Sequence, residues 1–476
     1  MHSTRPLALL ALAAAVELAS PAGAEPAVDA ARLDKLQQDI QALEAQAQDL
    51  KRAAADRYAD MGSEQASAVK LSLANGRPTL ASADGAFSFS LRTLIQFDSA
   101  YYGQGRLPPG TDFGSGSDFR RARFGFEGTA FRDWSYQFIY DFGGSGVEVS
   151  TISSAYVQYN GFAPVYFKAG AYAPPENFDD ATSAADLLFL ERAQPADLAR
   201  GIAAADGRDA ATVYGYDDNV FAAVSLTGGA VGDAANFDEQ LALVGRAAWR
   251  LYASSGANIA VGADTTYVLQ FPDSTAGTGS ARVFRLRERP ELNVDSNGVR
   301  LIDTGVIDAD RGWEWGLETA GNYRNFYGQG GYFGFNAYRR ASALADPDFA
   351  GWYAQASWVL TGETRIYRPD IGAYAAPKPK DAFSLDHAGL GAWELAARYS
   401  VLDLNFDPGV AGAAAPADGI RGGRQRIWSA GINWYPNSVI RLMLDYQHTD
   451  VSRLSALGGD LGARLDDVSL RLQLSL

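Results

Sequence analysis

From residue 86 onward, large apolar residues recur at every second position. In FSFSLRTLIQF (87–97), Phe87, Phe89, Leu91, Thr93, Ile95 and Phe97 share one face, and Ser88, Ser90, Arg92 and Gln96 the other. DWSYQFIYDF (133–142) sets Trp134, Tyr136, Phe138, Tyr140 and Phe142 against Ser135, Gln137 and Asp141. WELAARYSV (393–401) and VSLRLQLSL (468–476) repeat the pattern. A period of two belongs to a strand with one apolar and one polar face. Sixteen such segments are expected, near 86–101, 118–131, 133–142, 151–160, 164–172, 210–216, 219–226, 239–251, 257–270, 311–324, 325–338, 349–361, 390–402, 424–435, 438–449 and 465–476.

A soluble sandwich would alternate in the same way, so the connections decide. Short turns such as RD, NGFAP, YDDN, SSGAN and YPNS follow the even-numbered segments. Longer polar loops follow the odd-numbered ones, the longest at 173–209 and 271–310. Short turns on one rim, long loops on the other and an even strand number predict a transmembrane antiparallel β-barrel. In hydrocarbon only a helix or a closed barrel leaves no backbone N–H or C=O unpaired. Trp134, Trp313, Trp315, Trp352, Trp358, Trp434 and Tyr435 fall near strand ends, where interfacial girdles are expected. One connection departs from the pattern: 362–389 is long but lies on the short-turn rim.

The N-terminal part has a different period. Within 25–60, Leu33, Leu36, Ile40, Leu43, Ala47 and Leu50 alternate spacings of three and four, and neither Gly nor Pro interrupts 28–60. That seam predicts a short coiled coil whose partners are other copies of the chain. A lone solvated helix is the alternative, since a helix of this length is marginal by itself. Residues 61–85 read as linker, and residues 1–24 as a signal peptide ending in an Ala22-Gly23-Ala24 cleavage site.

Composition then narrows the chemistry. The 476 residues include no cysteine and three histidines, one of them His2 in the leader. Disulfides, thiolate metal sites and histidine-based nucleophilic catalysis are not expected. No metal, cofactor or nucleic-acid partner is called for. The formal charge of −15 sums every region of the chain, whereas a pore responds to its local field.

If the large apolar residues face lipid, parity assigns the lumen. The basic candidates are Arg92, Arg121, Arg123, Lys168, Arg246, Arg250, Arg398, Arg441 and Arg471. The acidic ones are Asp98, Glu127, Asp141, Glu314, Glu318, Glu394 and Asp445, which makes a mixed wall. The third long loop carries the apolar run Leu187–Leu190 and is expected to fold inward as a constriction, because exposed apolar clusters are uncommon. In the fifth, FRLRERPEL (284–292) puts Arg285, Arg287 and Arg289 on one face of a hairpin arm. Turned to the channel, they would offer forked donors to phosphate; turned elsewhere, they would pair with loop carboxylates or with lipopolysaccharide.

Taken together, FRRARFGFEGTAFRDWSYQFIYDFGG (119–144), FLERAQPADLARG (189–201), LRERPELNVDSNGVRLIDTG (286–305), NFYGQGGYF (325–333) and WVLTGETRIY (358–367) resemble the phosphate-selective porin O/P family. The resemblance implies a homotrimer of sixteen-stranded outer-membrane barrels, with the third loop inside and arginines guiding small anions such as phosphate. One departure stands out. The third loop holds Glu176, Asp179, Asp180, Asp186, Glu191 and Asp197 against only Arg192 and Arg200, an acidic set for an anion channel. A general or cation-preferring pore, and a plugged barrel tethered to the cell wall through the coiled coil, are the competing expectations.

Overall fold

The computed structural model describes residues 26–67, 69–73, 76–144, 150–231, 238–276, 280–387 and 389–476. The expected signal peptide lies outside them. Two units are present, divided after Ala68. The first is a single helix, α1 (Pro26–Ser67). Ile40, Leu43 and Leu50 are exposed on it, so nothing in this unit covers that stripe.

The second unit is a closed barrel of sixteen antiparallel strands. In chain order they are β1 (Ser88–Arg106), β2 (Gly116–Ala130), β3 (Trp134–Asp141), β4 (Thr151–Phe162), β5 (Val165–Tyr172), β6 (Arg208–Tyr216), β7 (Val220–Ala230) and β8 (Leu241–Ala253). The series continues with β9 (Ala257–Gln270), β10 (Ile307–Tyr323), β11 (Phe326–Arg339), β12 (Asp348–Val359), β13 (Ala392–Phe406), β14 (Ile420–Tyr435), β15 (Ile440–Ser452) and β16 (Ala463–Ser475). Each pairs with its neighbours in sequence, and β16 closes on β1 from Arg464↔Arg106 to Ser475↔Leu94. The stretch read as linker is partly ordered. α1 runs on to Ser67, and strand Lys70–Ser72 pairs with Thr79–Ala81, which adds to the start of β1.

The alternation works as the sequence pattern requires. On β16, Leu470 and Leu472 face outward while Ser469, Arg471 and Gln473 are buried inside. Tight turns on one rim use left-handed backbone, at Phe131 and Arg132 between β2 and β3 and at Arg324 between β10 and β11.

The assumption that large apolar residues face only lipid fails on one wall. Phe333 and Phe335 of β11, Leu402 and Leu404 of β13, and Met443 of β15 point inward and are buried. They meet apolar residues from the inserted loops: Leu190, Leu198 and Ala199 of the third, and Phe284, Leu286 and Leu292 of the fifth. This wall therefore carries a packed core where a simple pore would carry water. The third loop supplies α2 (Phe178–Ala181) and α3 (Gln194–Ala203). The fifth forms a small hairpin, Arg287–Glu288 with Ile302–Asp303. The anomalous connection on the short-turn rim also enters the lumen, as the hairpin Ile366–Arg368 with Ala373–Ala375.

Phe189 of the third loop is fully buried, packed with Leu188 against Ala396 of β13, with the Arg398 guanidinium 4.4 Å from its ring centroid. Phe189→Ala is expected to destabilise the folded state by about 3–5 kcal/mol. Urea unfolding in micelles reads this directly; a change within error of zero would show that the loop does not pack as described.

Candidate functional site

The expected constriction loop is held by the wall, and the wall arginines do most of the holding. Arg441 donates to the carbonyls of Ala185 (3.1 Å) and Leu187 (2.7 Å). Arg471 donates to Leu190 O at 2.5 Å and forms a two-pronged pair with Asp98, both contacts 2.6 Å. Arg398 reaches Glu191 O at 2.9 Å and pairs with Glu291 of the fifth loop. Arg246 donates to the carbonyls of Ile371 (2.6 Å) and Gly372 (2.7 Å), which anchors the inner-rim hairpin. All four are buried. Arg246, Arg398, Arg441 and Arg471 are turned toward the inserted segments and are buried there. They bond to inserted backbone and fasten the loops. Arg250 stands near the short-turn rim beside Asn219 and over the Tyr367 ring, away from the arginine cluster described next.

Several acids of the third loop meet arginines. Glu191 meets Arg120 at 2.9 Å, Arg471 at 3.0 Å and Arg121 at 3.4 Å. Burial alone would raise its carboxyl, but these guanidiniums hold it well below the ordinary range. Asp180 pairs with Arg200 at 2.7 Å. Arg200 also meets Asp206 at 2.9 Å, and Asp206 in turn pairs with Arg123. Arg123 completes the chain with Asp141 at 2.8 Å. Asp179 accepts from the Ala193 N–H at 2.9 Å, which steadies the start of α3. Arg192 donates to the carbonyls of Asp179, Asp180 and Thr182. Glu176 is completely buried beside Asp264 and Glu314.

Arg120 was missed by parity because β2 bulges. The register passes from Gln96↔Arg121 to Phe97↔Phe119, so Arg120 is the extra residue. A bulge lets two consecutive side chains serve one face, and here both Arg120 and Arg121 reach Glu191. Arg365 and Glu394, a buried pair at 2.8 Å, were also split by the sequence reading: only Glu394 could be assigned from strand parity.

Two cavities among the described residues lie beside the third loop. The upper one, about 360 Å³, is lined by nine arginines and four carboxylates. Arg120, Arg121, Arg192, Arg200 and Arg208 come from β2, the third loop and β6; Arg285, Arg287, Arg289 and Arg300 come from the fifth loop. The period-two pattern of FRLRE explains the ladder. Phe284 and Leu286 are buried in the loop–wall core, while Arg285 and Arg287 are exposed to the cavity. Arg285 pairs with Asp303, one contact being 2.8 Å. Arg287 has no ion-pair partner among the described residues. Glu288 beside it has its carboxyl pushed up to about 8, first by burial and then by Asp197.

The lower cavity, about 600 Å³, contains Lys168, Glu127, Asp180 and Asp370. Its acids are each answered: Glu127 by Arg77 (2.8 Å) and Arg92 (3.6 Å), Asp180 by Arg200, and Asp370 by Arg368 at 2.6 Å. Lys168 sits between the rings of Tyr156 and Tyr172, at 3.9 and 4.0 Å, without a carboxylate partner among the described residues. Arg200 lines the upper cavity and Asp180 the lower, so their ion pair stands between the two.

Comparison with known proteins follows the same lines. Porin O of Pseudomonas aeruginosa is 27% identical over 401 residues, covering 80% of this chain and 87% of that one. An uncharacterised protein of Caulobacter vibrioides is 28% identical over 413 residues, 84% of this chain and 76% of that one. Among solved structures, an anion-selective porin from Comamonas acidovorans superposes with a TM-score of 0.48 at 12% identity, over 82% of this chain and all of that one. OmpT of Vibrio cholerae gives 0.47 at 10% identity, over 82% and 98% of the two chains. The sequence model described as "Phosphate-selective porin O and P" matches residues 95–476, so the chain belongs to that family of outer-membrane porins.

Proposed function

We propose that this porin passes small anions by diffusion across the outer membrane, collecting them in the upper cavity, with phosphate among its solutes. The observation that carries this reading is the lining of that cavity, where nine arginines face four carboxylates, most of the latter already paired. Guanidinium presents forked donors that match phosphate oxygens, and no covalent step is involved. Alternate residues of an extended arm lie ~6.6 Å apart, so an anion leaving Arg285 is within reach of Arg287 before it is fully rehydrated. Partial pairing of Arg285 with Asp303 keeps the grip weak, and conduction needs binding that also lets go. Below the Asp180–Arg200 pair, Lys168, without a carboxylate partner among the described residues, would receive the solute.

A homotrimer is part of the same proposal. The exposed Ile40, Leu43 and Leu50 on α1 suit packing against copies of the same helix, placed in the periplasm. Attachment of that helix to the cell wall, and contact of the long loops with lipopolysaccharide, are the further partners this arrangement would allow. Leu43→Asp with Leu50→Asp is expected to lower the dissociation temperature of the oligomer, read by native gel; an unchanged temperature would remove α1 from assembly.

Inhibition of chloride current by added phosphate tests the anion reading. Single channels of the wild type should show phosphate lowering the chloride conductance, with the effect reduced about tenfold in Arg287→Glu, which corresponds to a loss of about 1.4 kcal/mol of phosphate binding. Equal inhibition in both would take the ladder out of the pathway. Glu288 adds a pH dependence of definite sign. With its carboxyl raised to about 8, it is neutral below that pH and ionised above it. Anion preference should therefore fall as pH rises from 7 to 9, and Glu288→Gln should flatten that profile.

A further inference from the structure

Halfway along the wall formed by β9 and β10, three carboxylates converge away from the arginine-lined cavity. Asp264 on β9, Glu314 on β10 and Glu176 of the third loop are all buried, and each offers an oxygen within 4.8 Å of the others. Asp264 and Glu314 have both carboxylate oxygens without a hydrogen-bond donor, and so has Oε1 of Glu176. Only Glu176 Oε2 is engaged, by the Asn177 side-chain amide at 3.0 Å. A second feature is independent of the carboxylates. Thr266 is wholly buried and sits directly across from Glu314 in the strand register, on the same inward face as Asp264. Its hydroxyl oxygen has no partner either.

Among the described residues no cation forms an ion pair with these three carboxylates. Arg246 uses both terminal nitrogens on the carbonyls of Ile371 and Gly372. Glu318, four residues along β10, is already occupied by the Phe178 N–H at 2.5 Å and the Tyr353 hydroxyl at 2.9 Å. Buried carboxylates without donors are costly unless paired or bound to a metal. The backbone also makes room for them: a Cβ on Gly316 would lie 2.5 Å from both oxygens of Asp264.

We propose that Glu176, Asp264 and Glu314, with the Thr266 hydroxyl, hold a divalent cation of the calcium type that fastens the base of the third loop to the β9–β10 wall. Donors that are all oxygen select a hard cation. Calcium bonds oxygen at about 2.3–2.6 Å, so two ligands across the ion stand up to about 5 Å apart, whereas magnesium at about 2.0–2.1 Å would draw them closer. Ligand oxygens within 4.8 Å of one another fall inside the calcium span. Glu176 immediately precedes Asn177, the cap of α2, so the ion would fix the point where the loop turns into the barrel. The site is independent of the anion pathway and of its selectivity.

The test uses the full chain refolded in detergent micelles free of lipopolysaccharide, equilibrated with calcium chloride and then gel-filtered. Mass spectrometry of the metal should find one calcium per chain in the wild type and in the exposed-turn variant Asp84→Asn. Glu314→Gln and Asp264→Asn should lose it, and calcium should raise the unfolding temperature of the wild type but not of these two. Absence of calcium from the wild type, as when the carboxylates simply share protons, would overturn the proposal, as would equal retention by Glu314→Gln. Should the carboxylate variants fail to fold, Thr266→Val must raise the calcium dissociation constant; an unchanged value overturns it equally.

Discussion

Arg120, Arg121 and Arg471 converge on the Glu191 carboxylate, and the rest of the lumen depends on that meeting. It ties the third loop to β2 and β16, on either side of the closing strand β1. It also places the arginine-rich end of the loop beside open water. Removing one partner of such a buried pair costs about 3–5 kcal/mol, because the remaining charge is left in a poor solvent. Glu191 is thereby matched by the wall, and Asp180 and Asp197 are matched by Arg200 of the loop itself, so the loop brings less uncompensated acid to the channel than its composition suggests.

The same constraint turns several lumen arginines into anchors. Where a carbonyl or carboxylate of an inserted segment lies opposite, the guanidinium becomes an anchor: Arg246 for the inner-rim hairpin, Arg398 for Glu291, Arg441 and Arg471 for the backbone of the apolar run Leu187–Leu190. The apolar residues of that run then complete a core against the inner face of the barrel. Where no inserted acid answers, the arginine faces the cavity, as Arg287 does. Anchors hold the shape of the vestibule, and the remaining arginines supply its field. Because field lines concentrate in a narrow, low-dielectric passage, a modest local excess outweighs a net charge of −15 spread over the whole chain.

Much of this was legible in the sequence. A strict period of two and the alternation of short and long links led to sixteen strands, and the structure has sixteen. The Leu187–Leu190 run pointed to an inserted loop. The alternation of FRLRER showed that three arginines share a face, and burial of Phe284 and Leu286 decides which way that face turns. What parity could not separate was a wetted lumen position from a loop anchor, since Arg92, partly exposed, and Arg441, buried, both fall on the lumen face of their strands. That difference is tertiary: it depends on which segment of a distant loop arrives opposite. Arg120 escaped because a bulge shifts the register by one, and a run such as FRRAR carries no mark of where the bulge falls. The inward Phe333 and Phe335 contradict the rule that apolar means lipid-facing, because an inserted loop makes a second apolar environment inside the barrel.

The central claim is that paired loop acids leave the arginines in control of the pore. The zero-current potential of the purified wild-type channel in a planar bilayer, under a KCl gradient at pH 7, tests it most directly. The account predicts a potential of the sign set by chloride. A potential of the sign set by potassium would mean that the carboxylates of the third loop govern the passage after all, and would contradict it.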